Sequence, residues 1–292
     1  MIETLSMNYT NKRQVYLYHY HQKSYRFYRV IQHIKMKNKI RAITNTLFLL
    51  ATLATNFLAN SLPIGWINTG ELSDLYPNLF VPAWFTFSIW GVIYLLLIWF
   101  IIRQLIDTWR KNSLWIVEKI GPWFVVSCLA NIWWIFARHY TQVALSVYFM
   151  LIILISLIII SWKVKTGEKR WSWKNKIFSQ VPFGVYLGWI SVATIANITA
   201  YLVHIGRNMW GMTDIFWTVV VIIVATLLGI QQLYKYANIP FVLVILRAFY
   251  GIATKRIAID PVYASNIIWT LGLCSVVLAG TLWWKWKARI KN

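Results

Sequence analysis

The sequence is poor in charged residues and poorest in acids. Only 13% of its 292 residues are charged, and eight of them are Asp or Glu, whereas a soluble domain carries roughly 25% charged residues. Hydrophobic residues make up 59% of the chain, and its mean hydropathy is +0.56. So little polar surface could not cover a water-soluble globule of this length. The composition therefore predicts an integral membrane protein.

Cysteines and catalytic motifs are also scarce. Cys128 and Cys274 both fall inside apolar runs and neither has a CxxC partner, so we interpret them as small apolar fillers. The chain contains no HExxH, GxSxG, phosphate-binding loop or paired-carboxylate spacing. The sequence therefore predicts no catalytic residues and no metal ligands.

The sequence contains eight long apolar runs. They predict an all-α polytopic membrane helix bundle. The predicted spans are 40–60, 82–102, 121–137, 142–162, 182–203, 213–232, 239–253 and 262–284. The seventh is short and carries Arg247. At that depth a charge needs a partner, for which Asp260 and Asp214 are candidates, unless the side chain reaches an interface.

Basic residues decide the expected orientation. With eight spans, 24 Lys and Arg lie on one side, 4 on the other, and Arg247 within a span. The positive-inside rule then places both termini in the cytoplasm, and we expect the cell (inner) membrane. The net charge of +21 lies in loops and tails rather than along one helix face. It therefore predicts contact with the lipid bilayer and no nucleic-acid partner.

Residues 1–39 form a basic, tyrosine-rich cytoplasmic segment without the compact apolar stretch of a secretory signal. Two interpretations stay open at this point. The segment could lie on the anionic inner leaflet as an interfacial helix. Alternatively, translation could begin at Met36, which would leave a short basic lead into the first span.

Aromatic residues recur on one face of three predicted helices. In the second span Pro82 starts the helix, Trp84 lies near the outer interface, and Phe87, Trp90 and Tyr94 form the stripe. The other stripes are Tyr186, Trp189, Ala193 and Asn197 in the fifth span, and Ser127, Asn131, Trp134 and Arg138 in the third. An interfacial aromatic belt or plain packing would explain such stripes. Amides on the same faces as tryptophans favour a third explanation, a ligand pocket.

These residues resemble the motifs of the TspO/MBR family, the tryptophan-rich sensory proteins and translocator proteins. The family patterns are approximately PxWxxGPxWxxLY, LNxxWxxxFF and PYLxWxxFAxxLN. The matching residues are Pro82, Trp84, Trp90, Gly91 and Tyr94 in the second span, Leu129, Asn131 and Trp134 in the third, and Tyr186, Leu187, Trp189, Ala193 and Asn197 in the fifth. Phe87 and Ser88 replace the family's Gly-Pro, and Val185 replaces a proline.

The resemblance covers 40–205 and implies a five-helix core, with 206–292 as a three-span extension and basic tail. It implies a flat hydrophobic ligand, a tetrapyrrole such as protoporphyrin or haem, or a sterol, bound between spans 2, 3 and 5. No cofactor is required, and a homodimer is expected. The implied ligand-binding residues are Trp84, Phe87, Trp90, Tyr94, Asn131, Trp134, Tyr186, Trp189, Ala193 and Asn197.

Three functions stay open from the sequence. The first is a sensor or receptor for that ligand. The second is a permease-type or transport-associated subunit in which Arg247 and an acid matter more than the tryptophans. The third is an enzyme that degrades its porphyrin by tryptophan-assisted photochemistry. His139 and His204 lie at outer helix ends, where each is either a haem ligand or an interfacial histidine.

Overall fold

The computed structural model of the chain describes residues 2–61, 75–110, 115–165, 173–206 and 211–290, which are helical with short connections and contain no strand. The helices are α1 Ile2–Ser61, a 3₁₀ turn Trp84–Ser88, α2 Ile89–Trp109, α3 Trp115–Ile120, α4 Trp123–His139, α5 Val143–Lys165, α6 Trp173–His204, α7 Asp214–Tyr236, α8 Ile239–Ile259 and α9 Ser265–Ile290. Every predicted span coincides with one of them.

Six helical segments in the described part of the chain are long and apolar enough to cross a membrane. They are Gln22–Ala59, Trp84–Trp109, Val143–Val164, Ile177–His204, Asp214–Tyr236 and Ser265–Lys287. The polytopic all-α fold is therefore confirmed. The other two predicted spans, 121–137 and 239–253, correspond to α4 and α8. Helix α4 has only 17 residues, and α8 carries three basic residues.

The first span is the end of a longer helix. Helix α1 runs from Ile2 to Ser61, so residues 2–39 belong to the same helix as the first span. Most side chains described between 22 and 39 are exposed, and Asn38 is buried.

The second span begins differently from the prediction. Pro82 does not lie in the first helical turn, because the 3₁₀ turn begins at Trp84 and the α-helix only at Ile89. The backbone N–H of Ala83 donates instead to the carbonyl of Gly251 in α8, over 3.0 Å. Contact with a distant helix therefore fixes how the chain enters α2.

Five helices close into a ring in which α1 contacts α2 and α4, α4 contacts α5, α5 contacts α6, and α6 contacts α2. Buried polar side chains join three of these interfaces. The bonds are Asn45 Nδ2 to Gln104 Oε1 at 3.3 Å, Asn56 Nδ2 to Asn131 Oδ1 at 2.8 Å, and Asn197 Nδ2 to Ser146 Oγ at 3.1 Å. In hydrocarbon such bonds are worth roughly 0.6–2 kcal/mol each. These bonds determine which helices lie next to each other and at which depth in the membrane they pair.

Helices α7, α8 and α9 pack on one another, and α8 also packs against α6 and the 3₁₀ turn. Two glycines permit this close approach. A Cβ at Gly188 of α6 would lie 3.1 Å from the Phe241 carbonyl oxygen of α8. A Cβ at Gly251 would run into the Thr86 hydroxyl and lie 3.2 Å from Pro82 Cβ. Small residues let helix backbones meet closely in membranes, so α8 joins the last three helices to the ring.

We expect Gly251→Leu to lower the thermal unfolding temperature of the purified protein markedly. The added side chain must displace the 3₁₀ turn or α8, and overpacking of this kind costs about 1–3 kcal/mol. Gly272→Leu in α9 is the matched control, because a Cβ there meets no atom within 4 Å. Equal unfolding temperatures for the two variants would contradict the packing of α8 on the turn.

Candidate functional site

A cavity lies between the start of the second span, α4 and α6. Its lining residues are Val81, Pro82, Phe87, Trp90, Trp134, Arg138, Trp189, Val192, Ala193, Ala196, Asn197 and Ala200. Eleven residues separate Trp189 from Ala200 on α6, so the cavity follows that helix for about 16 Å at 1.5 Å per residue. The volume of the cavity is about 60 Å³, which is room for only a few waters.

Trp90 is the centre of the aromatic cluster beside this cavity. Its ring stacks on Tyr94 with centroids 5.6 Å apart, and lies 6.2 Å from the ring of Trp134. It meets Tyr186 and Trp189 edge to face at 6.2 and 6.3 Å. Offset and edge-to-face pairs at these distances are favourable. One side chain therefore joins the aromatic stripes of α2, α4 and α6.

The structure brings six of the ten residues expected at the ligand site to the cavity wall. They are Phe87, Trp90, Trp134, Trp189, Ala193 and Asn197. Phe87 lies in the 3₁₀ turn, and its ring meets Trp189 edge to face at 5.8 Å. A phenyl ring therefore occupies one side of the cavity, at a position where the family pattern has glycine.

The other four residues lie away from the cavity wall. Tyr94 and Tyr186 pack behind Trp90 and support its ring. Asn131 is fully buried and its carbonyl oxygen accepts from Asn56 of α1. Trp84 is 83% exposed on the outside of the bundle, which suits contact with lipid or its interface.

Half of the residues that line the cavity were not among the expected ligand-binding residues. Arg138 is the most important of these. The small residues Ala196 and Ala200 continue the α6 stripe beyond Ala193 and Asn197 at helical spacing, so periodicity contained that signal. Arg138 lies one turn after Trp134 on the predicted α4 stripe. Its charge had been attributed to membrane topology, although a cation on a stripe of pocket residues is itself a signal.

The end of α4 holds Arg138 in place. The N–H of Thr141 donates to the Arg138 carbonyl at 3.1 Å, and that of Gln142 to the Ala137 carbonyl at 2.8 Å. Thr141 itself has a φ of 55°. This is a Schellman ending with threonine in the left-handed position that usually takes glycine. Arg138 is 8% exposed, and its guanidinium lies 5.7 Å from the centre of the Tyr76 ring.

Two N–H groups of lining residues have no hydrogen-bond partner within the described chain. They are the indole Nε1 atoms of Trp134 and Trp189, both buried. An unpaired buried donor costs about 1–3 kcal/mol. Asn197, the remaining lining amide, is already bonded to Ser146. Other buried polar atoms without a partner, such as Asn131 Nδ2 and Thr86 Oγ1, belong to residues outside the cavity wall. The two indole donors are therefore unpaired groups whose residues line a cavity.

The two candidate haem ligands lie elsewhere. Neither His139 nor His204 lines the cavity. His139 Nδ1 lies 2.9 Å from the Ile135 carbonyl, which can only accept, so Nδ1 carries the proton. The ring of His204 meets Tyr76 edge to face. Among the described residues, no group of three His, Cys, Asp or Glu side chains is placed to hold a metal ion. Neither histidine is therefore part of the cavity wall.

Arg247 has different partners from the acids expected of it. One terminal nitrogen of its guanidinium donates to Ser88 Oγ at 2.8 Å and to the Phe85 carbonyl at 3.2 Å. Both acceptors belong to the 3₁₀ turn that carries Phe87. Together with the bond from Ala83 to Gly251, this contact fastens the turn to α8. We call these contacts the α8 clamp.

We expect Ser88→Ala and Arg247→Met to be coupled in a double-mutant cycle. A hydrogen bond to a charged group is worth about 1.5–3 kcal/mol, and intramembrane cycles reach about 1.7 kcal/mol, so a coupling energy of about 1–2 kcal/mol follows. The free energy of unfolding in mixed detergent micelles measures it. Ser191→Ala with Arg247→Met is the control cycle, because Ser191 bonds only its own helix. A coupling no larger than in the control would exclude the clamp.

Comparison with known families agrees with the motifs in the cavity wall. A family model described as TSPO-like protein matches residues 42–284, more than four fifths of the chain. Comparison with curated proteins and with solved structures gives no match. The matched range continues past residue 205 through α7, α8 and most of α9. It therefore includes both the five-helix ring and the helix that clamps the 3₁₀ turn.

Proposed function

Since the chain belongs to the family of TSPO-like proteins, we propose that it binds a flat hydrophobic ligand, tetrapyrrole-like or sterol-like, in the cavity between α2, α4 and α6. The observation that carries this proposal is the pair of buried, unpaired indole N–H groups on Trp134 and Trp189. Both belong to the wall of one cavity together with Trp90. Most buried side-chain donors have a partner, and an acceptor on a ligand in this cavity would supply one to each indole.

The aromatic cluster provides the apolar part of the recognition. Ligand sites are mostly apolar and aromatic, with a few polar groups that fix orientation. Trp90, Trp134 and Trp189 present ring faces or edges at mutual distances of about 6 Å. Each aromatic contact with a flat ring adds about 0.5–1.5 kcal/mol beyond the buried area. Ala193 and Ala196 contribute a smooth wall on which such a ring can lie.

The size of the cavity determines how the ligand enters. Sites for drug-sized ligands usually have about 300–1,000 Å³, and this cavity is far smaller. Phe87 is the side chain best placed to yield, since it is only partly buried and lies in the 3₁₀ turn rather than in a long helix. Binding of a tetrapyrrole therefore requires the phenyl ring to leave Trp189. The α8 clamp opposes any larger movement of the turn.

We expect protoporphyrin to quench the tryptophan fluorescence of the purified protein saturably at micromolar concentration. Trp90→Ala together with Trp189→Ala is expected to abolish the saturable component, because the two rings form the wall on which the ligand stacks. Trp269→Ala is the control, since Trp269 of α9 is 73% exposed and away from the cavity. Absence of a saturable quench in the wild-type protein would refute the proposed function.

Phe87→Ala refines the same experiment. Removal of the ring opens the cavity next to Trp189, so the variant should bind protoporphyrin more tightly than the wild type. Phe85→Ala is its matched control, because Phe85 belongs to the same turn but contacts Trp84 and Tyr250 outside the cavity. Equal tightening by both variants would assign the effect to a loosened turn rather than to the Phe87 ring.

We also propose that the protein lies in the inner membrane with both termini in the cytoplasm. The distribution of basic residues supports this, with 24 on the proposed inner side and 4 on the outer side. We expect a reporter that fluoresces only in the cytoplasm to be active when fused after Asn292. The same reporter inserted at Thr141, in the short connection between α4 and α5, should not fluoresce, because this connection lies on the proposed outer side. The opposite pattern would invert the orientation.

A further inference from the structure

Most of the polar side chains in the cavity wall can only donate hydrogen bonds. Indole and guanidinium groups donate and cannot accept, which covers Trp134, Trp189 and Arg138. Asn197 is the one lining side chain with an amide oxygen. Its nitrogen donates to Ser146 Oγ at 3.1 Å, and the single proton of that hydroxyl is donated to the Val143 carbonyl at 2.7 Å. A ligand that fits this wall must therefore bring acceptors.

One of the three donors carries a full positive charge, and it lies at one end of the cavity. Arg138 is in the last turn of α4, one residue before its end at His139. Trp189 lies near the middle of α6, well away from that helix's end at His204. The cavity thus has a cationic end close to the end of the bundle and an aromatic end deeper inside.

Arg138 is suited to hold an anion although it has contacts of its own. Its guanidinium lies over the Tyr76 ring, and a guanidinium has five N–H donors in a planar fork that matches the two oxygens of a carboxylate. At 8% exposure the group is largely removed from water, where a charge-assisted hydrogen bond is stronger than at a surface. A carboxylate of the ligand would join or replace the partners that Arg138 already has.

We infer that the cavity selects ligands that carry an acidic group: a flat apolar body lies among Trp90, Trp134 and Trp189, and a carboxylate at one end binds Arg138. This inference rests on the proposed function and narrows it. Neutral sterols and esterified tetrapyrroles lack the anion and are excluded as preferred ligands. Acidic tetrapyrroles and sterols with an acidic substituent share the required chemistry.

The test compares ligands that differ only in their acidic groups. Protoporphyrin IX and its dimethyl ester share one macrocycle, and cholesteryl hemisuccinate and cholesterol share one sterol. Each is titrated into the full-length protein in phosphatidylcholine nanodiscs, with tryptophan quenching as the readout for the porphyrins and their displacement as the readout for the sterols. We expect the acid of at least one pair to bind about tenfold or more tightly than its neutral partner, as one charge-assisted bond implies.

Variants assign that preference to the cavity. Arg138→Met should remove the preference, so that the acid and the ester bind this variant with equal affinity. Lys287→Gln removes the same charge far from the cavity and controls for the general attraction of anions to a protein of net charge +21. Trp134→Phe keeps a ring and deletes only the buried donor that lies one turn before Arg138, so it tests the same preference if Arg138→Met fails to fold. It should reduce the preference for the acid.

The outcomes separate the inference from the function on which it rests. Equal binding of acid and ester, or a preference that survives in both Arg138→Met and Trp134→Phe, overturns the inference and leaves the proposed function intact. A preference lost equally in Lys287→Gln also overturns it, since surface charge would then be the cause. No saturable binding of any of the four compounds overturns both. If the acid binds more tightly than its neutral partner in only one of the two pairs, the inference is supported. The pair that shows the preference then tells whether the ligand is a porphyrin or a sterol.

Discussion

A polar group inside a bilayer must find its partner within the protein, because lipid tails offer none. The five-helix ring depends on this constraint. Asn56 with Asn131 and Asn197 with Ser146 each join two helices at a fixed depth, and alternative registers would leave amides unpaired. The pairing is not complete: among the described residues Asn131 Nδ2 and Thr86 Oγ1 are buried without a partner, as are the indole N–H groups of Trp134 and Trp189. The two indole groups differ from the others in that their residues line a cavity, where an acceptor on a bound molecule would satisfy them.

Helical periodicity predicted the spans and much of the cavity wall, because apolar runs and aromatic spacing are local properties of the sequence. Trp90, Trp134 and Trp189 fall on the faces that the pattern indicated. Periodicity does not say which helix a face meets. Asn131 lies on the predicted α4 stripe, yet its oxygen is bound by Asn56, on a helix for which no stripe had been identified. Its placement required the packing of α1 against α4.

The contact between Arg247 and Ser88 was beyond the reach of sequence reasoning, since the two residues are 159 positions apart. It accounts for a departure from the family pattern at the same point. A serine in place of the proline provides the hydroxyl that Arg247 binds, and a phenylalanine in place of the glycine fills the space beside Trp189. The altered motif and helix α8 therefore meet in one interface. Helix α8 holds the 3₁₀ turn that carries Phe87, although no residue of α8 lines the cavity.

The shortness of α4 has a consequence for the surrounding lipid. Seventeen residues rise about 25 Å, which is less than the hydrocarbon thickness of about 30 Å. A helix of this length is accommodated by a thinner bilayer beside it. Such thinning would bring headgroups and water toward the end of α4, next to Arg138. For the ligand that we propose, with its polar group at the headgroups and its ring among the acyl chains, the path to the site would then be sideways, along the plane of the bilayer.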